Sequence, residues 1–107
     1  MKAVRVHEFG GADKLQYDED APEPQIGPTE VLVRVRACAL NHLDIWVRMG
    51  QRGQSEMEMP HVLGCDVSGE VEAVGGAVHG IQKGLKGVIN PGISCGRCAA
   101  CLGGNDN

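Results

Sequence analysis

Between residues 95 and 101 the chain reads Cys95-Gly96-Arg97-Cys98-Ala99-Ala100-Cys101, three thiols at a strict two-residue interval. A loop of residues this small can turn tightly enough to gather three sulfurs around one point, and thiolates at that interval are zinc ligands. A closed structural zinc site takes four ligands, so the run supplies three quarters of one. The role it points to is structural, because a zinc saturated by protein ligands leaves no position for a substrate. The alternative is three ordinary thiols in a Gly-rich loop. Five cysteines is an odd number, and in a reducing compartment such clustering favours metal over disulfides.

The rest of the chain reads as β-rich. Lys2 to His7 alternates Ala3, Val4 and Val6 with polar residues, as a first strand does, and Leu15 to Glu19 follows as its hairpin partner across Gly10-Gly11-Ala12-Asp13. Pro22, Pro24 and Pro28 mark a stretched connector. Glu30 to Leu40 is the clearest strand, with Val31, Val33 and Val35 on one side and Arg34 and Arg36 on the other. Asn41 then suits a helix N-cap, Leu43, Trp46 and Val47 share one helical face, and Gly50 suits the stop. Residues 51–60 read as a loop. Val67 to Val74 alternates again, and Gly87 to Asn90 reads as a last strand closed by Pro91-Gly92. Sixteen glycines fit many tight turns, and with only Phe9, Tyr17 and Trp46 as aromatics the core falls to Val, Ile, Leu and Ala. The pattern is a small β-barrel with one or two short helices.

One domain accommodates the 107 residues. The net charge is −4 and the ten basic residues are scattered, so no nucleic-acid partner is expected. No apolar run reaches membrane-spanning length, and the N-terminus lacks the apolar centre of a signal peptide. A soluble, cytoplasmic protein without a membrane partner is the expectation.

Four segments in order carry a resemblance: Pro28 to Val35 ahead of Ala39-Leu40-Asn41-His42-Leu43-Asp44, Pro60 to Val71, Val74-Gly75, and the triple-cysteine loop. Together they resemble the N-terminal half of a medium-chain dehydrogenase/reductase, the superfamily of zinc alcohol dehydrogenases and quinone oxidoreductases. The resemblance implies a GroES-like, partly open β-barrel over residues 1–107, with 91–107 as the start of a structural zinc lobe. It also implies a following Rossmann domain that binds NAD(P)H. No Gly-x-Gly-x-x-Gly occurs in this chain, and the fourth zinc cysteine is expected just past Asn107, so the chain is expected to be cut inside the lobe.

By the same resemblance, Asn41 stands where alcohol dehydrogenases place the first catalytic zinc ligand, a cysteine. An amide is a poor zinc ligand but a capable hydrogen-bond donor, typical of the zinc-independent quinone-oxidoreductase branch. Facing a nicotinamide or a carbonyl oxygen it would orient hydride transfer; otherwise it is a plain cap. His42 matches a position near the cofactor pyrophosphate, or is a surface histidine. Leu43 replaces a proton-relaying Ser or Thr and cannot relay protons. Asp44 matches an aspartate near the catalytic centre, or steadies the helix N-terminus. Cys65 and Asp66 replace the His and Glu of a Gly-His-Glu segment. Cys65 is otherwise a small buried residue, and Cys38 reads as core. His61 lines the cleft or is a loop histidine, and Glu70 and Glu72 read as a solvated strand face. Lys83 to Ile89 stands shortened in place of a Gly-Asp-Arg-Val run, which puts the last strand in doubt.

The expected parent is an NAD(P)-dependent oxidoreductase acting on a small-molecule carbonyl, quinone or activated alkene. Asn41, Asp44, Cys65 and Asp66 are its catalytic candidates, Asn41 and His42 its cofactor contacts, and Cys95, Cys98 and Cys101 its structural Zn2+ ligands. NADPH is favoured over NADH by branch analogy alone. Full-length relatives are commonly homo-oligomers, and the 107 residues alone are expected to be inactive. Two other readings stay open: a zinc-dependent alcohol dehydrogenase with a remodelled site, and a stand-alone, non-catalytic GroES-like module that binds zinc.

Overall fold

Alternation of β-branched and polar residues sets the strands, and the computed structural model, which describes residues 1–51 and 57–105, shows how they pair. Strand β1 (Ala3–Val6) runs antiparallel to β2 (Leu15–Asp18), with Ala3 opposite Asp18 and Val6 opposite Leu15. The turn between them holds a single 3-10 turn, Ala12–Lys14. On its other side β1 takes a two-residue strand, β4 (His61–Val62), which puts His61 opposite Val6. His61 therefore belongs to a sheet rather than a loop. Two residues carry no readable alternation, so only the long-range pairing with β1 creates this strand.

The second sheet has the order β3 (Val31–Ala39), β5 (Asp66–Val74), β6 (Lys86–Val88), all antiparallel. The long β3–β5 ladder starts at Val31–Val74 and ends at Ala39–Asp66, with register shifts at Leu32/Val33 and Val35/Ala37. These irregularities and the edge position of β3 interrupt the simple two-sided pattern. Val31 and Val33 are half-buried, but everything from Arg34 to Ala39 is exposed. Cys38 lies in this stretch, so its assignment to the core is corrected: an edge strand whose far half nothing covers cannot bury it. Glu70 and Glu72, read as merely solvated, pair across the ladder, Glu72 with Arg34 at 2.5 Å and Glu70 with Arg36 at 3.7 Å.

Strand β6 forms despite the shortened run before it, one residue earlier than the sequence suggests, with Glu70 opposite Lys86 and Ser68 opposite Val88. Gly69 permits the close packing of β5 on β3, since a Cβ there would lie 2.5 Å from the Arg34 carbonyl oxygen.

Helix α1 (His42–Arg48) follows β3 directly, and a four-residue helix, α2 (Ala99–Leu102), lies in the cysteine loop. Among the described residues the fold is thus mainly β with two short α-helices, and the two three-stranded sheets do not close into a barrel. Burial reflects that openness. Among the described residues Val6, Ala21 and Val71 are the buried apolar ones, whereas Val88 is 82% and Ile93 99% exposed. The radius of gyration is 15.8 Å, against about 13 Å for a closely packed chain of this length.

Candidate active-site wall and metal centre

The β3–β5 ladder delivers the first candidate site. Because Ala39 pairs with Asp66, the residues just beyond β3 and just before β5 lie side by side. Asn41 is the N-cap of α1, extended at φ −119° and ψ 166°. Its side-chain Nδ2 donates to Asp66 Oδ2, which joins two residues 25 apart in sequence. The amide that the sequence placed in the catalytic wall is therefore hydrogen-bonded to the acid that the sequence placed beside it. Asn41 stands at the N-cap of α1 at the same time, so its reading as a helix cap holds.

Asp44 behaves differently from an open catalytic acid. It is 7% exposed, the buried charged residue among those described. Its Oδ2 accepts the Asn41 backbone N–H at 2.7 Å and its Oδ1 accepts the Gly64 backbone N–H at 2.8 Å. Both oxygens are engaged, which is how a carboxylate stays buried at tolerable cost. Gly64 carries a positive φ of 98°, a conformation that favours glycine. Its N–H is the functional group that the sequence did not single out; the only readable signal was a glycine directly ahead of Cys65.

Cys65 is exposed and Asp66 half-buried. Reading Cys65 as a buried filler is thus corrected: the residue is exposed and directly precedes Asp66 in the chain. His42 is exposed and sets its ring edge-on to Trp46 at 5.2 Å, and Leu43 is 43% exposed.

The second candidate site is the cysteine loop. Gly96, at φ 67°, turns the chain after Cys95, and Cys98 caps α2, its sulfur accepting the Cys101 backbone N–H at 3.5 Å. The Cys98 and Cys101 sulfurs are 3.4 Å apart, Cys95 and Cys101 3.7 Å, and all three lie within 4.8 Å of one another. A zinc–sulfur bond of about 2.3 Å gives a tetrahedral S···S edge of about 3.8 Å, so the three sulfurs stand at metal-binding spacing. The electrostatics agree. Hydrogen bonding with Cys98, then with Cys95, brings the Cys101 thiol down to about 7. The Arg97 and Cys98 backbone amides lower Cys95 from its ordinary value. Amides directed at sulfur favour the thiolate, the form that ligates a metal. The residues present fit a zinc ion held by Cys95, Cys98 and Cys101.

Residues 27–107 match the alcohol dehydrogenase GroES-like domain family. A crystal structure of an NAD-dependent alcohol dehydrogenase is 52% identical and superposes with a TM-score of 0.88, covering 99% of this chain and 30% of that one. A cobalt- and zinc-bound thermostable alcohol dehydrogenase from Pyrobaculum aerophilum is 34% identical with a TM-score of 0.82, covering 99% and 31%. The quinone oxidoreductase of Mus musculus is 35% identical over 108 residues, 99% of this chain and 32% of its own length. The chain spans about a third of the length of the curated relatives it matches. With residues 27–107 matched by the family and 99% of the chain superposed on an alcohol dehydrogenase, this chain belongs to the alcohol dehydrogenase GroES-like domain family of the medium-chain dehydrogenase/reductase oxidoreductases.

Proposed function

We propose that residues 1–107 form the substrate-facing part of an NAD(P)-dependent oxidoreductase that transfers hydride to or from a small carbonyl, quinone or activated alkene. In this reading 91–107 belongs to a structural zinc lobe. The observation that carries it is the Asn41–Asp66 hydrogen bond. By the resemblance that amide stands where alcohol dehydrogenases of the superfamily use a thiolate, and its bond occupies the carboxylate of Asp66.

The nicotinamide supplies or accepts the hydride when bound. This chain contributes the wall. With one Asn41 amide proton bound to Asp66, the second is available to a substrate oxygen. A fixed donor there stabilises negative charge as it develops on that oxygen. Leu43 offers no hydroxyl for proton relay. Cys95, Cys98 and Cys101 would hold zinc as a cross-link of their loop. His42 is the residue of α1 proposed to meet the cofactor pyrophosphate.

The test is to express the longest reading frame that contains this chain. It is then assayed for NAD(P)H oxidation with quinones, enones and aldehydes, and its zinc is counted. One zinc per chain with quinone or enone reduction supports the proposal. Two zincs with alcohol oxidation support the remodelled alcohol dehydrogenase, which the 52% identity to an NAD-dependent alcohol dehydrogenase and the exposed Cys65 favour. The 107 residues alone should show no turnover.

A further inference from the structure

We propose that Asp44 is the positioning residue of the substrate wall: its buried carboxylate fixes the Gly64 turn to the N-terminus of α1, and this spacing holds Asn41 against Asp66. A carboxylate that only capped its own helix would need nothing beyond the helix's N–H groups. Here one oxygen does that at Asn41, three residues away, while the other crosses to Gly64, twenty residues away. The backbone ladder between β3 and β5 ends at Ala39–Asp66. Beyond that rung the two chains have no strand pairing to keep them together, and Asp44 supplies the next link. The Asn41–Asp66 bond by itself is exposed, so water competes for both groups and the bond alone cannot fix the amide. The part-buried bonds of Asp44 can, because both end on a carboxylate whose residue is only 7% exposed. Asn41 is thereby tied at its backbone N–H and at its side chain, with one amide proton left over. The substrate-facing role of that proton rests on the function proposed above; the clamp does not.

The clamp is tested by NMR on the 15N,13C-labelled 107-residue chain. Through-hydrogen-bond couplings from the Asp44 carboxyl carbon are expected to both the Asn41 and the Gly64 backbone nitrogens, with one Asn41 side-chain proton shifted downfield. In Asp44→Asn the Asn41 side-chain pair should move to free-amide positions while the β1–β2 and β3–β5 cross-strand contacts persist. Asp66→Asn should move the same pair without disturbing the Gly64 coupling. A folded Asp44→Asn chain with an unchanged Asn41 side chain overturns the proposal, and so does a wild-type spectrum lacking the Gly64 coupling. If Asp44→Asn fails to fold, the wild-type couplings decide: both present supports the clamp, either absent rejects it. In the full-length oxidoreductase, Asp44→Asn should lower kcat by roughly tenfold or more with KM within about twofold. A wild-type enzyme without hydride transfer counts against the proposed function and leaves the clamp to be decided by the couplings.

Discussion

The wall around Asn41 and the loop around Cys98 are organised by opposite means. At the wall, a nine-residue strand pairing, a buried carboxylate and a left-handed glycine converge to place one amide. At the loop, every residue from His79 to Ala100 is exposed. The hydrogen bonds found for residues 95–105 stay within residues 94–105. The wall inherits its geometry from the sheets. The loop has no packing to inherit from, so its geometry comes from local turns and from whatever its three sulfurs bind. One fold thus carries one site specified by tertiary contacts and another specified by ligand chemistry.

The largest effect that would sharpen this contrast is at Cys101, whose sulfur approaches both of the others. Cys101→Ser should weaken cobalt or zinc binding by about a hundredfold or more, beyond the usual effect of losing a supporting group around a metal. The thiolate-to-cobalt charge-transfer band reports it. Amide signals of Asn41 and Gly64 should stay in place; if they move, the two sites are coupled and the contrast fails. Next comes Gly69→Ala, which forces a Cβ to within 2.5 Å of a backbone carbonyl and 2.7 Å of Val33 Cγ1. A loss of about 1–3 kcal/mol in urea unfolding is expected, with cobalt binding unaffected. An unchanged midpoint would mean that the β3–β5 ladder is not what holds the wall.

Acid provides a milder probe. Asp18 accepts from His7 at 2.9 Å and from Arg5 at 2.5 Å, and these bonds, His7 first, hold its carboxyl below the ordinary value. A depressed folded value contributes stability that is present above about 3.9, the unfolded carboxyl value, and lost as pH falls through the folded one. The wild-type urea midpoint should therefore drop below pH 4 more steeply than that of Asp18→Asn, and equal slopes would reject the pair as a contributor. The smallest effect belongs to Arg34→Ala. Its ion pair with Glu72 is short but exposed, and water and salt screen such pairs. Urea titration should find the midpoint unchanged within error, and a clear drop would show that the outer face of β3 matters more than the wall.

How much of this was readable in the sequence follows from distance along the chain. The strands of nine residues announce themselves by alternation, α1 by Asn41 and its apolar face, and the candidate metal loop by cysteine spacing. The two-residue β4 was not readable, because it exists only through its partner β1. The exposure of Cys38 was hidden by register shifts and by the edge position of β3. The sequence singled out Asn41, Asp44 and Asp66 as residues but not the bonds from Asn41 to Asp66 and from Gly64 to Asp44. Those bonds cross 25 and 20 residues, and no local pattern encodes which distant backbone N–H a buried carboxylate will meet. The expectation of one apolar face held for Val31 and Val33 and failed at Val35, which is exposed.

The three sulfurs lie within seven consecutive residues, whereas Asp44 must find Gly64 across twenty and Arg34 must find Glu72 across thirty-eight. Closing a short loop costs little chain entropy, and it requires no other part of the molecule to be in place. The cysteine segment is then competent to capture a metal ion on a chain whose sheets have not yet assembled. An ion that binds the disordered chain nearly as well as the ordered one shifts the balance between them very little. Metal content in a preparation would therefore report on the state of one loop, while the fold of the strands would have to be measured separately.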